Sequence, residues 1–556
     1  MKHAAMLFAV VAILMCIFAQ GFAQKIETIQ ARPLVDVVTD QLRSVSDQDA
    51  IPVITWGGDV ATQYALEKGL ISGRLFLENN FVKQVRMCVQ GKTPYIRGTA
   101  GMVNAAAEAL EAKGITLVPI YKLTWSTGGD VLVVRNTIKK LSDLRGKKIA
   151  LQLYGPHMDL IANILLNAKV SPNEVTFVWF EELTLPGAGY QGPIRNPVEA
   201  FQHDQTIDAV LCIDIDAASL TASEGGVPGA RKAFSTATAS RIISDWYAVR
   251  SDYLEANRTT VEKFVGGLMK GQEGFSDLQK NWKSQKDEWN SILQKSANLL
   301  LGSANLGSDV AGMLQGCTFV DYNGNMQFFT GKGGTRNMET LTKEIQSSFV
   351  KMGIMRSRVN LTDANWNYAA LAAGLRYAKS VPAEPTEAYN PKKVEAFVAK
   401  RIEGESGSFA ESAMLPSFEI LFKPNQTEFS TDEYSDNFRE AQGAIDAFGG
   451  AIVVVEGHSD PTKVAKMRVA NDPTVALVEQ AAKNTSLERA NEVRKSFIAF
   501  CKKRGTPIDA SKVTVAGVGV KHPKYPKPAT EEQWKQNFRV VFRMVSLEGE
   551  STSFEK

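Results

Sequence analysis

Asp130 to Val170 reads DVLVVRNTIKKLSDLRGKKIALQLYGPHMDLIANILLNAKV, and this stretch decides the fold. After its first residue DVLVV is wholly apolar, as in a strand covered on both faces. KIALQL, Lys148 to Leu153, repeats that pattern after a basic turn. Tyr154 and Gly155 end the strand, and Pro156 reads as the first residue of a helix that carries apolar side chains at three- and four-residue steps. Strands alternating with amphipathic helices imply an α/β fold with a largely parallel sheet.

The alternation extends outward from Ile51 to about Met355. IPVIT, ITLVPI and DAVLCI read as further strands, and ATQYALEKGLI, MVNAAAEALEAKG and RTTVEKFVGGLMKGQEGF as helices. In DYNGNMQFF a hairpin turn is expected at Asn323–Gly324. Residues 356–414 read as a linker with helices: NWNYAALAAGLRYAKS, then Pro382 and Pro385, NPKKVEAFVAKRIEG and GESGSFAESAM. From 415 to 547 the order is strand FEILF, a helix around Asp432–Phe448, strand AIVVVE, helix SLERANEVRKSFIAFCKKRG, and strands KVTVAGVG and FRVVFRMV. That block is α+β and of ordinary domain size.

A chain of 556 residues is too long for a single core. Its net charge of +3 argues against broad nucleic-acid binding, which needs a basic domain or stripe. Lys2 and His3 precede an apolar run from Ala4 to Phe18, and Gly21 and Ala23 supply small residues before a cleavage point. Residues 1–23 therefore read as a signal peptide, which places the mature chain outside the cytoplasm. The run is short for a membrane span, which takes ~20 apolar residues. Met15 is large where a lipoprotein signal ending at Cys16 wants a small residue. The remaining Cys88, Cys212, Cys317 and Cys501 show no CxxC spacing, so neither zinc nor another metal is expected, and Cys212, in an apolar strand, reads as a buried thiol.

VVVEGHSDP, Val453 to Pro461, carries the chemistry of the last block. Gly457 reads as the residue permitting a sharp exit from the strand, and Asp460 as either a turn aspartate or a ligand group past a strand end. GHSD, then SLERA, GVGVKHPKYP and NFRVVFR, resembles the ordered motif set of the OmpA-like domain shared by outer-membrane protein A, Pal and MotB. The resemblance covers most of 415–547. It implies that Asp460 takes the ammonium, and Arg489 the carboxylate, of diaminopimelate in a peptidoglycan stem peptide. A guanidinium fork suits that carboxylate in a way lysine cannot reproduce. Asn425, Asn537 and Arg539 fall on further family positions. Asp460 and Arg489 are expected at the pocket rim. Phe538 departs from the family arginine, and Lys423 stands where an acidic residue is frequent. PTKVAKMRVANDPTVALVEQAAKNT after Asp460 is an insertion, expected as an extra exposed helix. His458 lacks a nearby Cys or second His and is expected in a structural hydrogen-bonding role.

DVLVV, LSDLRGKKIAL and DAVLCIDIDA, with RGTAGM and RSDYLEANRTTVEKFV, resemble the periplasmic substrate-binding proteins of ABC importers. The likeness is to the branch for sulfonates, taurine, nitrate or thiamine precursors. It spans about residues 50–355 and implies a two-lobed, type II-like periplasmic-binding-protein fold, with a second lobe near 133–243 and an α+β OmpA-like domain after it. Asp143 and Lys147 lie in a structural turn. Solute candidates are the strand ends and helix starts that would wall a cleft: Trp56, Gly58, Asp59, Trp125, Ser126, Thr127, Tyr154, Gly155, Asp214 and Asp216. Helix-start amides favour an anionic solute group, whereas Asp214 or Asp216 favours an amine. Each also has a plain structural reading: Asp59 as a helix N-cap, and Trp56 and Trp125 as core.

His157, His203, His458 and His522 sit in unrelated sequence contexts, and no GxSxG, HExxH or P-loop pattern occurs. An enzyme on thiamine-pyrimidine-like substrates rests on fold analogy alone. The sequence thus reads as a non-enzymatic, cofactor-free, exported binding protein of the periplasm, at the cell wall or outer membrane. Its expected partners are peptidoglycan, a small solute and an ABC-importer permease. The alternative is a wall-bound scaffold or sensor whose first module docks a protein.

Overall fold

A computed structural model of the chain describes residues 24–186, 190–332, 336–378, 390–403, 417–422, 431–449 and 451–546. The signal-peptide reading of 1–23, the GESGSFAESAM part of the linker and Asn425 lie outside these residues.

The first lobe contains β1 (Ala50–Val53), helix α1 (Asp59–Glu67), β2 (Arg74–Leu77), α2 (Phe81–Val89), β3 (Tyr95–Thr99), α3 (Ala100–Glu111) and β4 (Leu117–Ser126). The chain then passes into a second sheet. It comprises β5 (Asp130–Val134), β6 (Lys148–Gln152), β7 (Thr176–Phe180), β8 (Ala209–Ile213) and β9 (Arg231–Ser235), with α4 (His157–Ala168) after β6 and α5 (Asp214–Leu220) after β8. It returns through β10 (Ser244–Arg250), the long α6 (Ser251–Lys280), β11 (Cys317–Phe319), α7 (Tyr322–Thr330) and α8 (Met338–Lys351). The second-lobe order is β7-β6-β8-β5-β9, and the first-lobe order is β11-β4-β10-β3 beside the pair β1-β2. α8 packs against both α3 and α4, so it bridges the lobes.

The expectation of largely parallel sheets is corrected. β10 runs antiparallel to β3 and β4, and β5 antiparallel to β8 and β9; within the sheets of the two lobes the parallel strand pairs are β1 with β2 and β6 with β7 and β8. A strand that returns from the other lobe enters its sheet against the direction set by the βα units. The hairpin at Asn323–Gly324 is also corrected: these residues lie in α7, because the Asp321 carboxylate accepts from the Gly324 N–H and caps the helix. The helical pattern beginning at Asn365 yields only the short helix Tyr368–Leu371, whereas Pro391–Glu403 is helical as read.

The third sheet has the order β12-β15-β13-β14, formed by β12 (Ser417–Leu421), β13 (Ala451–His458), β14 (Val513–Gly519) and β15 (Arg539–Ser546). Helices α9 (Ser435–Ala447), α10 (Thr462–Val469) and α11 (Val475–Lys503) belong to it, and the helix Pro391–Glu403 packs on β14 through Val394 and Val398. The insertion is α10 plus an N-terminal extension of α11, largely exposed, with Val469 and Leu477 in solvent. α11 lies against β13 and β14 through Ala490, Val493 and Phe497, all fully buried. Gly457 is not a strand exit. It lies within β13, and a Cβ there would meet Ser486 O at 1.8 Å, so the glycine lets α11 rest on the sheet. All four described cysteines are buried thiols.

Candidate functional site

The third module supplies the clearest cluster. Asp460 follows β13, and its Oδ1 accepts from the Thr462 N–H at 2.8 Å, as the plain turn reading requires. Its Oδ2 accepts from Asn537 Nδ2 at 2.7 Å, and Asn537 is itself held by the backbone of Tyr525. The next residue, Phe538, faces the Arg489 guanidinium at 5.5 Å, with Phe422 at 5.6 Å from that group. Consecutive residues before β15 therefore pack against the acid and against the base. Burial draws the Arg489 pKa down, but a guanidinium stays charged at physiological pH. Arg539 donates to His522 O at 3.1 Å and has Glu419 at 3.6 Å.

Two expectations fail here. Arg489 is not at a rim: it is 1% exposed, because α11 carries it under the two phenylalanines, and Asp460 is only 9% exposed. His458 makes no side-chain hydrogen bond among the described residues: Glu456 stands 3.6 Å away, and burial lowers the imidazole pKa.

In the first module most solute candidates are engaged internally. Asp59 is no exposed cap: it is fully buried and accepts from Arg97 Nε and Nη2 at 3.1 and 2.8 Å. Arg97 Nη1 reaches Asp245 at 2.9 Å, and Asp245 accepts from Thr124 Oγ1 at 2.8 Å. Gly58 presses on Thr124, and Trp56 donates to Thr124 Oγ1 while lying on Gly129. Trp125 covers the buried Lys122, whose Nζ is 3.2 Å from its ring centre and 3.9 Å from that of Phe328. Burial, with Arg241 and Arg336 near, pushes the Lys122 pKa well below the lysine range.

Ser126 is buried and donates to Asp130 at 2.6 Å, and Thr127 pairs with Thr318 across the lobe junction. Tyr154, in the left-handed region at φ 57°, donates its hydroxyl to Arg32 O. Gly155 is packed against Gln152, and Asp214 pairs with Lys232. Asp216 differs: one carboxyl oxygen is buried with no hydrogen-bond partner among the described residues, and burial lifts its pKa to about 6.

Further polar groups, not marked by any sequence motif, lie in and between the lobes. His157, read as isolated, contacts Asp130 at 3.0 Å. Arg97, a charge in the middle of a strand, was a usable signal. Asp159 was not, since an acid in a helix's first turn is ordinary. Its carboxyl accepts from Gly101 N and Thr99 Oγ1, both at 2.7 Å, and burial lifts its pKa to about 7. A separate groove of about 520 Å³ lies between β2 and α2, lined by Phe76, Leu77, Lys83 and Arg86 among others.

Residues 79–275 match the family model described as NMT1/THI5 like. No curated protein matches the chain. Among solved structures, the chain is similar to a putative sulfonate ABC transporter periplasmic sulfonate-binding protein from Methylobacillus flagellatus KT, at 14% identity, 60% coverage of this chain and 94% of that one, with TM-score 0.39. It is also similar to the alkanesulfonate-binding protein from Xanthomonas axonopodis pv. citri, at 13% identity, 57% and 97% coverage and TM-score 0.36. The periplasmic nitrate-binding protein from Synechocystis PCC 6803 matches at 11% identity, 46% and 67% coverage and TM-score 0.32.

Proposed function

We propose that this chain is an exported two-module binding protein. The α+β module holds the diaminopimelate of a peptidoglycan stem peptide, and the two-lobed module binds a small solute in the manner of an ABC importer's periplasmic component. One observation carries the wall-binding part: Asn537 orients the Asp460 carboxylate while Phe538, beside it, walls the Arg489 guanidinium. An acid and a planar cation, each packed against one of two consecutive residues, suit a ligand end that carries one ammonium and one carboxylate. The match of residues 79–275 to the NMT1/THI5 like family supports the solute part. Pull-down with purified sacculi tests the wall-binding part: wild type is retained and Asp460→Ala is depleted at equal folded concentration. Equal retention of both removes the assignment.

A second reading is a wall-bound scaffold whose first module engages a protein. It is favoured by the internal engagement of Asp59, Ser126, Tyr154 and Asp214, which leaves few polar groups turned to a solute. Thermal shift of the full chain against a solute panel separates the two readings, since a bound solute raises stability by mass action.

A further inference from the structure

We infer that Asp159 is an internal occupant of the interlobe site: its carboxyl group fills the seat that an anionic solute group would take and latches the two lobes shut. α3 starts in the first lobe and α4 in the second. Asp159, in the first turn of α4, reaches across to the start of α3, where Gly101 N and the Thr99 hydroxyl each donate to it at 2.7 Å. Free amides at a helix start form an anion seat; here the chain supplies the acid. Gly101 permits the approach, because a Cβ there would lie 2.4 Å from Asp159 Oδ2 and 2.6 Å from Phe349 of α8.

α8 closes the far side. Leu341, Glu344 and Ile345, with Arg336 and Ile242, bound a hollow beside Asp159 of about 10 Å³. That is room for a single water, against the ~300 Å³ or more of a ligand pocket. A solute bearing a carboxylate or sulfonate must therefore displace Asp159, whereas a solute without an anionic group does not compete for this seat. Asp159 is on this account a specificity-determining residue. The binding arm of its test rests on the solute-binding reading; the latch does not.

The experiment is small-angle scattering of the full chain at neutral pH without added oxyanion, paired with calorimetric titration of methanesulfonate. Wild type is expected to stay compact and to bind methanesulfonate weakly. Asp159→Ala is expected to expand, to contract when methanesulfonate is added, and to bind it at least about tenfold more tightly. Thr99→Val, which leaves α4 untouched, is expected to expand in the same direction by less. An Asp159→Ala protein that melts cooperatively yet is as compact as wild type overturns the inference, as does an unchanged radius in Thr99→Val should the first variant not fold. Expansion without any response to methanesulfonate upholds the latch and removes anionic-solute binding.

Discussion

Raising the pH should destabilise the first module, and Asp159→Asn should abolish much of that dependence. The folded Asp159 has a pKa of about 7 against an ordinary 3.8, because burial, reinforced by Asp245, outweighs the hydrogen bonds from Thr99 and Gly101. The folded state thus keeps a proton that the unfolded chain has already released between those values. Stability falls as pH rises through that window, with a slope of up to ~1.4 kcal/mol per pH unit per proton. For Asp159 this sums to on the order of 2–4 kcal/mol between pH 4 and 7, and above the folded value the dependence ceases. Asp59 and Asp216, both lifted to about 6, add to the lower part of the window, so the part lost in Asp159→Asn is greatest between pH 6 and 7. Arg336 and Glu344 also face the hollow beside Asp159. An asparagine preserves the shape, accepts from Gly101 and donates to Thr99, but does not titrate. Urea unfolding at half-unit pH steps, extrapolated to water, measures both curves. Stability that rises across the window, or an identical slope in Asp159→Asn, refutes the reasoning.

Arg97→Ala should cost ~3–5 kcal/mol in denaturant unfolding, because it strands two buried carboxylates, Asp59 and Asp245; a loss below ~1 kcal/mol would show that water reaches the network. Gly457→Ala should abolish cooperative folding of the third module, since its methyl would collide with the α11 backbone at Ser486, and circular dichroism melting reads that directly. Arg489→Lys should weaken sacculus retention at least about tenfold while the module stays folded, because lysine keeps the charge but loses the planar fork between Phe422 and Phe538.

The strands DVLVV, KIAL and AVLCI were legible because short, β-branched-rich apolar runs bounded by turn residues suit a covered sheet, and they lie in one with Val131, Leu132, Ile149 and Leu211 fully buried. Strand direction was not legible: nothing in the composition of β10 marks it as returning from the other lobe. At α7 two local signals compete, since Asn323–Gly324 invites a turn but Asp321, two residues before it, caps a helix. In the third module the ordered motifs pointed to Asp460, Asn537 and Arg489. The charge of Arg489 suggests a rim position, but two phenylalanines distant in sequence cover it. Asp59 misled for the same reason, as its partner Arg97 lies on another element. The contact of Asp159 with α3 depends on how two lobes meet, which local patterns do not encode.

On the proposed reading, Asp460 and Arg489 together take the zwitterionic end of diaminopimelate. The most direct measurement is calorimetric titration of the full chain with a stem peptide carrying diaminopimelate and, in parallel, with the same peptide carrying lysine, which lacks the second carboxylate. The diaminopimelate peptide is expected to bind at least about tenfold tighter than the lysine peptide, with that preference lost in Arg489→Lys. Equal affinity for the two peptides, or a preference that survives in Arg489→Lys, contradicts it.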